Sequence, residues 1–288
     1  MERIIMKNSI VWNNAEKKFD LFHLQPVTMN LEQGSIMGLI GENGSGKTTL
    51  MKLVLNLISL SGGSIEVLGM DSVSQEYEIK QKIAFVPDEN IFYEMFTPKE
   101  VNKITSKLYV NWNEKAFFEY LQKFEIPFAK NIKSFSMGMK KKLAIACALS
   151  HKAELLLLDE PMNGLDPVAR QQMRDILQEF VEIESHSVLL SSHITEDLEK
   201  IADYITLIEK GNVILSENKD ELLENYGVAN FSKEDLKEID VKDYVSVKQY
   251  AFGCKVLVKN KKMFLRKYDG AVMDNASLED IMVFYHER

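Results

Sequence analysis

Apolar residues fall along this chain in two rhythms, short unbroken runs and helical stripes, and their alternation predicts a layered α/β fold. Residues 1–40 alternate short apolar runs with turn residues, as in Ile4–Val11 and Val27–Leu31, which predicts an antiparallel, β-rich opening segment. Ile36-Met37-Gly38-Leu39-Ile40 reads as a buried strand, and Leu50, Leu53, Val54 and Leu57 then recur at helical spacing, predicting a helix over 47–58. A strand is expected at Ile83–Val86. Between about 88 and 150 three amphipathic stretches, Lys99–Tyr109, Asn113–Phe124 and Ser136–Leu149, describe a helical insert. Leu155–Leu158 and Ser187–Leu190 are continuous apolar runs of strand length. The helix between them opens with Asp166 as N-cap and Pro167 in the first helical position, so the order is strand, helix, strand, as in a parallel sheet. After about Asp220 the apolar runs shorten and charge thickens (Glu234, Asp235, Lys237, Glu238, Asp240). A small α/β module ending in a helix near Leu278–Tyr285 is predicted there, with no internal repeat or low-complexity linker.

With 288 residues, 45% of them hydrophobic, the chain can bury one large core and carry a small appendage. A formal charge of −8 argues against a basic groove as the working surface, so no nucleic-acid partner is expected. Cys147 and Cys254 stand far apart without metal-ligand spacing, which fits a reducing cytosol better than a disulfide framework. Neither a secretory signal nor a membrane span is read. The apolar stretches around Leu50–Leu60 and Leu143–Leu149 are broken by polar residues or too short, and are expected to be buried helix faces.

The chemistry begins at Gly41-Glu42-Asn43-Gly44-Ser45-Gly46-Lys47-Thr48-Thr49, between the predicted strand and helix. Glycines at 41, 44 and 46 let the backbone turn its N–H groups toward phosphates, and the helix beginning near Lys47 aims its positive end at them. Lys47 is placed to reach the β/γ-phosphates of a nucleoside triphosphate and the Thr48 hydroxyl to ligate Mg²⁺. Downstream, Leu155–Leu158 ends in Asp159 and Glu160. Asp159 at the strand tip suits a hydrated Mg²⁺, and Glu160 is placed to polarise an attacking water as general base.

Together these motifs resemble the ATP-binding cassette (ABC) ATPases of transporters, and the resemblance covers nearly the whole chain. Phe135-Ser136-Met137-Gly138-Met139 stands where that family carries its signature, 23 residues before Asp159. The resemblance implies that Ser136, Gly138 and Met139 act on ATP held by a second subunit. Met137 and Met139 depart from the usual Gly and Gln, while the Ser-x-Gly-Met-Lys form recurs in ABC-2-type exporters. Asn163-Gly164-Leu165-Asp166 resembles the family's D-loop, with Asp166 coupling the two sites. Ser191-Ser192-His193 resembles its switch histidine, a γ-phosphate sensor beside Glu160. Asp88, in Val86-Pro87-Asp88-Glu89, occupies the slot of the Q-loop glutamine, so a carboxylate there would ligate Mg²⁺ while adding negative charge near the phosphates. Phe19 matches the adenine-stacking aromatic by spacing, with Phe22 and Trp12 as rivals. His23, His151, His186 and His286 have no comparable context.

The implied fold is a P-loop ABC nucleotide-binding domain over 1–219, with a RecA-like parallel core, an antiparallel β subdomain and a helical subdomain over about 88–150; 220–288 forms an accessory module. Segments such as Tyr109–Asn113, Asp166–Arg170 and Ser277–Met282 are similar to ATPases of Gram-positive peptide and antibiotic-resistance exporters, those of phenol-soluble modulins among them. The implied activity is hydrolysis of ATP to ADP and phosphate with Mg²⁺ at the cytoplasmic face of the cell membrane. The implied partners are a permease on a separate chain, docking near Ile91, Phe92, Tyr93 and Phe96, and a second copy or a paralogous ATPase. Two other readings stay open. One is a soluble, non-transport ABC ATPase, which the single cassette and the 89 residues between Lys47 and Ser136 disfavour; the other is a low-turnover nucleotide-dependent regulator, disfavoured by the presence of both Glu160 and His193.

Overall fold

The computed structural model describes residues 7–287, so the predicted run Ile4–Val11 lies partly outside the described residues. Strands β1 (Asn8–Lys18) and β2 (His23–Glu32) pair antiparallel. Then come β3 (Ile36–Ile40), α1 (Lys47–Val54), β4 (Gly62–Val67) and β5 (Met70–Asp71), and β1, β2, β4 and β5 form a four-stranded antiparallel sheet. A short α2 (Glu76–Lys80) leads to β6 (Ile83–Val86). Three helices come after it, α3 (Pro98–Leu108), α4 (Glu114–Lys123) and α5 (Met137–Leu149), within a residue or two of the predicted stretches. The α3 start is fixed by a capping box in which Thr97 and Glu100 bond each other's backbone, with Pro98 at the first position.

The central layer is completed by the next third of the chain. β7 (Leu155–Asp159), α6 (Pro167–Val181), β8 (Ser187–Ser191), α7 (Thr195–Ile201), β9 (Tyr204–Glu209) and β10 (Asn212–Asn218) finish a six-stranded sheet in the order β10-β9-β3-β8-β7-β6. Its pairings from β9 through β3, β8 and β7 to β6 are parallel, and only the edge strand β10 runs antiparallel. The unbroken apolar runs have a direct cause in this position. Met37, Leu39, Leu155, Leu157 and Leu189 join one core with Trp12, Leu24 and Leu53, against the antiparallel sheet and α1. Their neighbours Ile36, Ile40, Leu156, Leu158 and Leu190 point the other way, into a second core with Phe117, Leu143, Ile176 and Leu198 from the helices. Both faces of the sheet are covered, so period-two alternation disappears.

Helix α1 is shorter than predicted. It ends at Val54, because Asn56 takes a left-handed backbone (φ 50°) and turns the chain, leaving Leu57 53% exposed rather than on a buried helix face.

After β10, α8 (Lys219–Asn225) leads into β11 (Gly227–Phe231), β12 (Ser246–Tyr250), β13 (Gly253–Val258), α9 (Lys261–Lys267), β14 (Met273–Asn275) and α10 (Leu278–His286). The four strands form an antiparallel sheet ordered β12-β13-β11-β14 over a small core of Ala229, Val256, Val258 and Phe264. Leu222, Tyr226, Leu278, Ile281 and Phe284 instead belong to the large core, and α10 packs on α7. Tyr226 and Tyr285 hydrogen-bond through their hydroxyls at 2.8 Å. The final helix is therefore held against the body that carries the phosphate loop. Among the described residues no helix is long and apolar enough to cross a membrane.

Candidate functional site

Parallel strands β3, β7 and β8 lie side by side, so the loops leaving their C-terminal ends emerge together at one edge of the sheet, where α/β folds place ligands. After β3 comes the glycine loop. Gly41, Gly44 and Gly46 have φ of 148°, 80° and 120°, the region that L side chains avoid. A Cβ on Gly41 would stand 2.1 Å from the Ile208 carbonyl oxygen, so only glycine lets the loop leave β3 here. Gly46 precedes α1 without a side-chain cap, which leaves the first helical N–H groups free for an anion. Lys47, 6% exposed, folds back to donate to the carbonyls of Gly41 (2.6 Å) and Glu42 (3.0 Å). Burial lowers its pKa, opposed by the charges of Glu160, Asp159 and Glu42. Ser45 Oγ is buried with no hydrogen-bond partner.

The tips of β7 and β8 meet this loop. Asp159 accepts from Thr48 Oγ1 at 2.7 Å and from Ser191 Oγ at 2.5 Å, its register partner on β8. Glu160 comes next with a left-handed backbone (φ 50°), which re-aims the chain and side chain after the strand. Its carboxylate oxygen Oε2 lies 2.7 Å from His193 Nδ1 and 3.3 Å from the His193 backbone N–H. Two adjoining hollows result. One, about 390 Å³, is lined by Phe22, Asn43, Gly44, Gly46, Lys47, Thr48, Thr49, Asp88, Asp159 and Glu160. The other, about 570 Å³, is lined by Gly41, Glu42, Asn43, Asp88, Glu160, Asn163, His193 and Met282. A cavity of about 670 Å³ in the C-terminal part holds none of the predicted site residues.

The remaining predicted residues divide. Asp88 lines both hollows, but its Oδ1 is paired with the buried Lys141 Nζ at 2.8 Å, so its charge is compensated rather than free. Phe22 lines the smaller hollow, and its ring would lie 3.1 Å from a Cβ on Gly46. Phe19 is 46% exposed, 6.3 Å from Phe22 between ring centres, and lines neither hollow; Trp12 is buried in the core. Ser136 caps α5 by accepting from Met139 N–H at 3.2 Å, while Gly138 packs near Leu165. Ser136, Gly138 and Met139 line neither hollow, so within one chain the signature stands apart from the phosphate loop. Asp166 caps α6 through Ala169 N–H at 2.9 Å, and this bond holds its carboxyl below the usual carboxylate range.

Sequence reasoning missed four contributors. Lys141 sits inside the run Lys140-Lys141-Lys142, where burial has no local signature. Ser191 reads in sequence only as a neighbour of His193. Met282 and His286 arrive from a helix more than 200 residues away in sequence: Met282 lines the larger hollow, and His286 Nε2 lies 3.2 Å from Glu42 Oε1. No spacing rule links them to the loop.

The ABC transporter family matches residues 24–163. The ABC transporter ATP-binding protein YtrB of Bacillus subtilis is 32% identical over 203 residues, 70% of this chain and 69% of that protein. The bacitracin transport ATP-binding protein BcrA of Bacillus licheniformis is 34% identical over 190 residues, and the match spans 62% of its length and 65% of this chain. The lantibiotic transport ATP-binding protein SrtF of Streptococcus pyogenes is 35% identical over 210 residues, 70% of this chain and 90% of that protein. An ATP-binding subunit of an ABC transporter superposes with a TM-score of 0.68 at 25% identity, covering 75% of this chain and 92% of that one. The fold of cbiO1 from Clostridium perfringens is also similar, with a TM-score of 0.64 at 22% identity over 75% of this chain and 91% of that one. The chain belongs to the ABC transporter ATP-binding subunits, ATP-hydrolysing proteins with the P-loop fold.

Proposed function

We propose that this ABC ATPase powers export of amphipathic or antimicrobial peptides, or other toxic compounds, through a permease on a separate chain at the cytoplasmic face of the membrane. The observation that carries the reading is the meeting of Lys47, Thr48, Asp159, Glu160 and His193 at the ends of β3, β7 and β8. The kinship with bacitracin and lantibiotic transport subunits supports the cargo class. Exposed Ile91 and Tyr93 support a permease contact beside Asp88, whereas Phe92 and Phe96 are spent partly on the core.

In this reading Lys47 exchanges its bonds to Gly41 and Glu42 for the β/γ-phosphates, and the uncapped start of α1 adds N–H donors. Glu160 takes a proton as a water oxygen bonds to the γ-phosphorus and the bridging oxygen leaves with ADP. His193, tied to Glu160, orients that water. Asn43, Thr49 and Phe22, rather than Phe19, border the nucleotide. Thr48, Asp159 and Asp88 offer the hard oxygen donors that suit Mg²⁺, and the ion when bound supplies charge neutralisation at the phosphates. The fit is compatible with the lack of any cluster of three or more His, Cys, Asp or Glu among the described residues, since Mg²⁺ leans on few protein ligands and on phosphate. Ser136, Gly138, Met139 and Asp166 act across the interface with a second copy or a paralogue, over a nucleotide-binding domain of 1–219 and an accessory module of 220–288.

The test is to co-express the chain with the membrane protein encoded beside it and to measure ATP-dependent peptide entry into inverted vesicles. Transport is expected with the pair and absent without ATP. A chain that hydrolyses ATP fully but recruits no membrane protein and moves no peptide would return the reading to a non-transport ATPase.

A further inference from the structure

We propose that Lys141 is a positioning residue for hydrolysis, holding the Glu160 peptide and neutralising Asp88 from the helix that begins with Ser136. It rests on the reading of Glu160 as base. Lys141 is 5% exposed on α5, five residues past Ser136, and its ammonium donates to Asp88 Oδ1 at 2.8 Å and to the main-chain carbonyl of Glu160. The other end of Glu160 is held too, its N–H reaching Ser191 Oγ at 3.0 Å. Glu160 lies at a φ of 50°, a conformation that persists only where the surroundings over-determine it, and these two bonds flank it on both sides.

The charge argument is separate. A buried ammonium needs an anion, and Asp88 lines both hollows where phosphates would sit. Lys141 therefore answers two demands at once: it fixes the residue beside the attacking water, and it keeps Asp88 from repelling the nucleotide. Because α5 is one continuous helix from Met137 to Leu149, the same rigid element carries Ser136 at its cap and Lys141 on its second turn. A displacement of Ser136 on engaging ATP in one site is transmitted to Glu160 and Asp88 of the other.

The experiment uses the full chain with a fluorescent ATP analogue, read in EDTA and in saturating Mg²⁺, alongside steady-state turnover. Lys141→Met keeps reach and volume while removing both charge and donor. Affinity in EDTA is expected to fall about 10-fold as Asp88 is left bare, and kcat to fall about 10-fold or more through misplacement of Glu160. Adding Asp88→Asn should restore affinity in EDTA to within about 2-fold of wild type while kcat stays low, because the Glu160 carbonyl still lacks its donor. If Lys141→Met is too unstable to assay, Lys141→Gln retains a donor and loses the charge. It should show the same affinity loss with a smaller drop in kcat. Wild-type affinity and kcat in Lys141→Met, or an affinity loss that Asp88→Asn does not relieve, would overturn the proposal. Failure of the site reading itself is read without any Lys141 variant, as wild-type chain that does not bind the analogue or as unchanged turnover in Glu160→Gln.

Discussion

Glu160→Gln separates the two things Glu160 is placed to do, and it moves two observables in opposite directions. The amide retains an oxygen that can accept from His193 N–H, now 3.3 Å from Oε2, and it has nearly the volume of the carboxylate it replaces. The left-handed backbone at 160 is no harder for Gln than for Glu, so the fold should survive. What disappears is the proton acceptor and one negative charge. Loss of general-base catalysis lowers rates by about 100-fold to 10,000-fold, or ~2.7–5.4 kcal/mol on the barrier. Loss of the charge works the other way on binding. A carboxylate about 6 Å from a phosphate charge, at an effective dielectric of about 40, repels it by ~1.4 kcal/mol, about tenfold in affinity. Turnover should therefore fall at least about 100-fold while ATP binds up to about 10-fold more tightly and the ATP-bound dimer accumulates. Phosphate release, equilibrium binding of a fluorescent analogue and size-exclusion chromatography read the three quantities. A misfolded variant cannot gain affinity, which makes the opposed signs informative. Turnover within about threefold of wild type at unchanged affinity would refute Glu160 as the base.

Other perturbations probe other parts of the site. Lys47→Ala removes the buried cation from Gly41 and Glu42 and should abolish measurable ATP binding, so equal affinity by calorimetry would exclude the loop as the site. Lys47→Ala and Ser136→Arg chains, each inactive alone, should regain partial ATPase activity when mixed, because one composite site per heterodimer is then intact; no recovery in heterodimers shown to form would exclude a shared site. Gly41→Ala would force a Cβ to 2.1 Å from the Ile208 oxygen, and a loss of about 2–4 kcal/mol is expected in chemical denaturation; wild-type stability would mean that the loop relaxes freely. His151, bonded through Nε2 to the Ile83 carbonyl at 3.1 Å, has its pKa lowered from 6.5 chiefly by burial. Folding favours its neutral form, so stability is full above about pH 6.5 and declines as pH falls below it. His151→Gln should flatten the fall in melting temperature between about pH 7 and 5.5, and an undiminished slope would assign that slope to other groups.

Legibility from sequence tracks the range of the forces involved. Leu155–Leu158, Ser187–Leu190 and Ile83–Val86 are readable because a strand covered on both faces must be apolar throughout, a demand written locally. The start of α6 is readable for a similar reason, since Asp166 bonds backbone only three residues away, whereas the Thr97 cap sets the start of α3 one residue before the Lys99 that the apolar spacing indicates. The end of α1 is not, because the apolar spacing continues to Leu57 while the left-handed turn at Asn56 ends the helix. In the site, Lys47, Thr48, Asp159 and Glu160 are announced by contiguous motifs. The Asp88–Lys141 pair spans 53 residues, and the approach of His286 to Glu42 spans most of the chain. Those depend on where helices dock, and a lysine run or a lone histidine looks the same whether it meets solvent or a carboxylate.

Met282 gives this site a native spectroscopic handle. Met282 lines the hollow that Glu42, Glu160 and His193 share, and the helix carrying it is fastened to the body through Phe284 and the Leu278 N–H, which donates to Glu199 Oε1 at 2.7 Å. A ¹³C-methyl resonance from that residue, assigned among the 14 methionines by a Met282→Leu variant, is expected to shift when nucleotide fills the proposed site, without any fluorophore or tag. A chain labelled only at its methionine methyls becomes its own titration indicator.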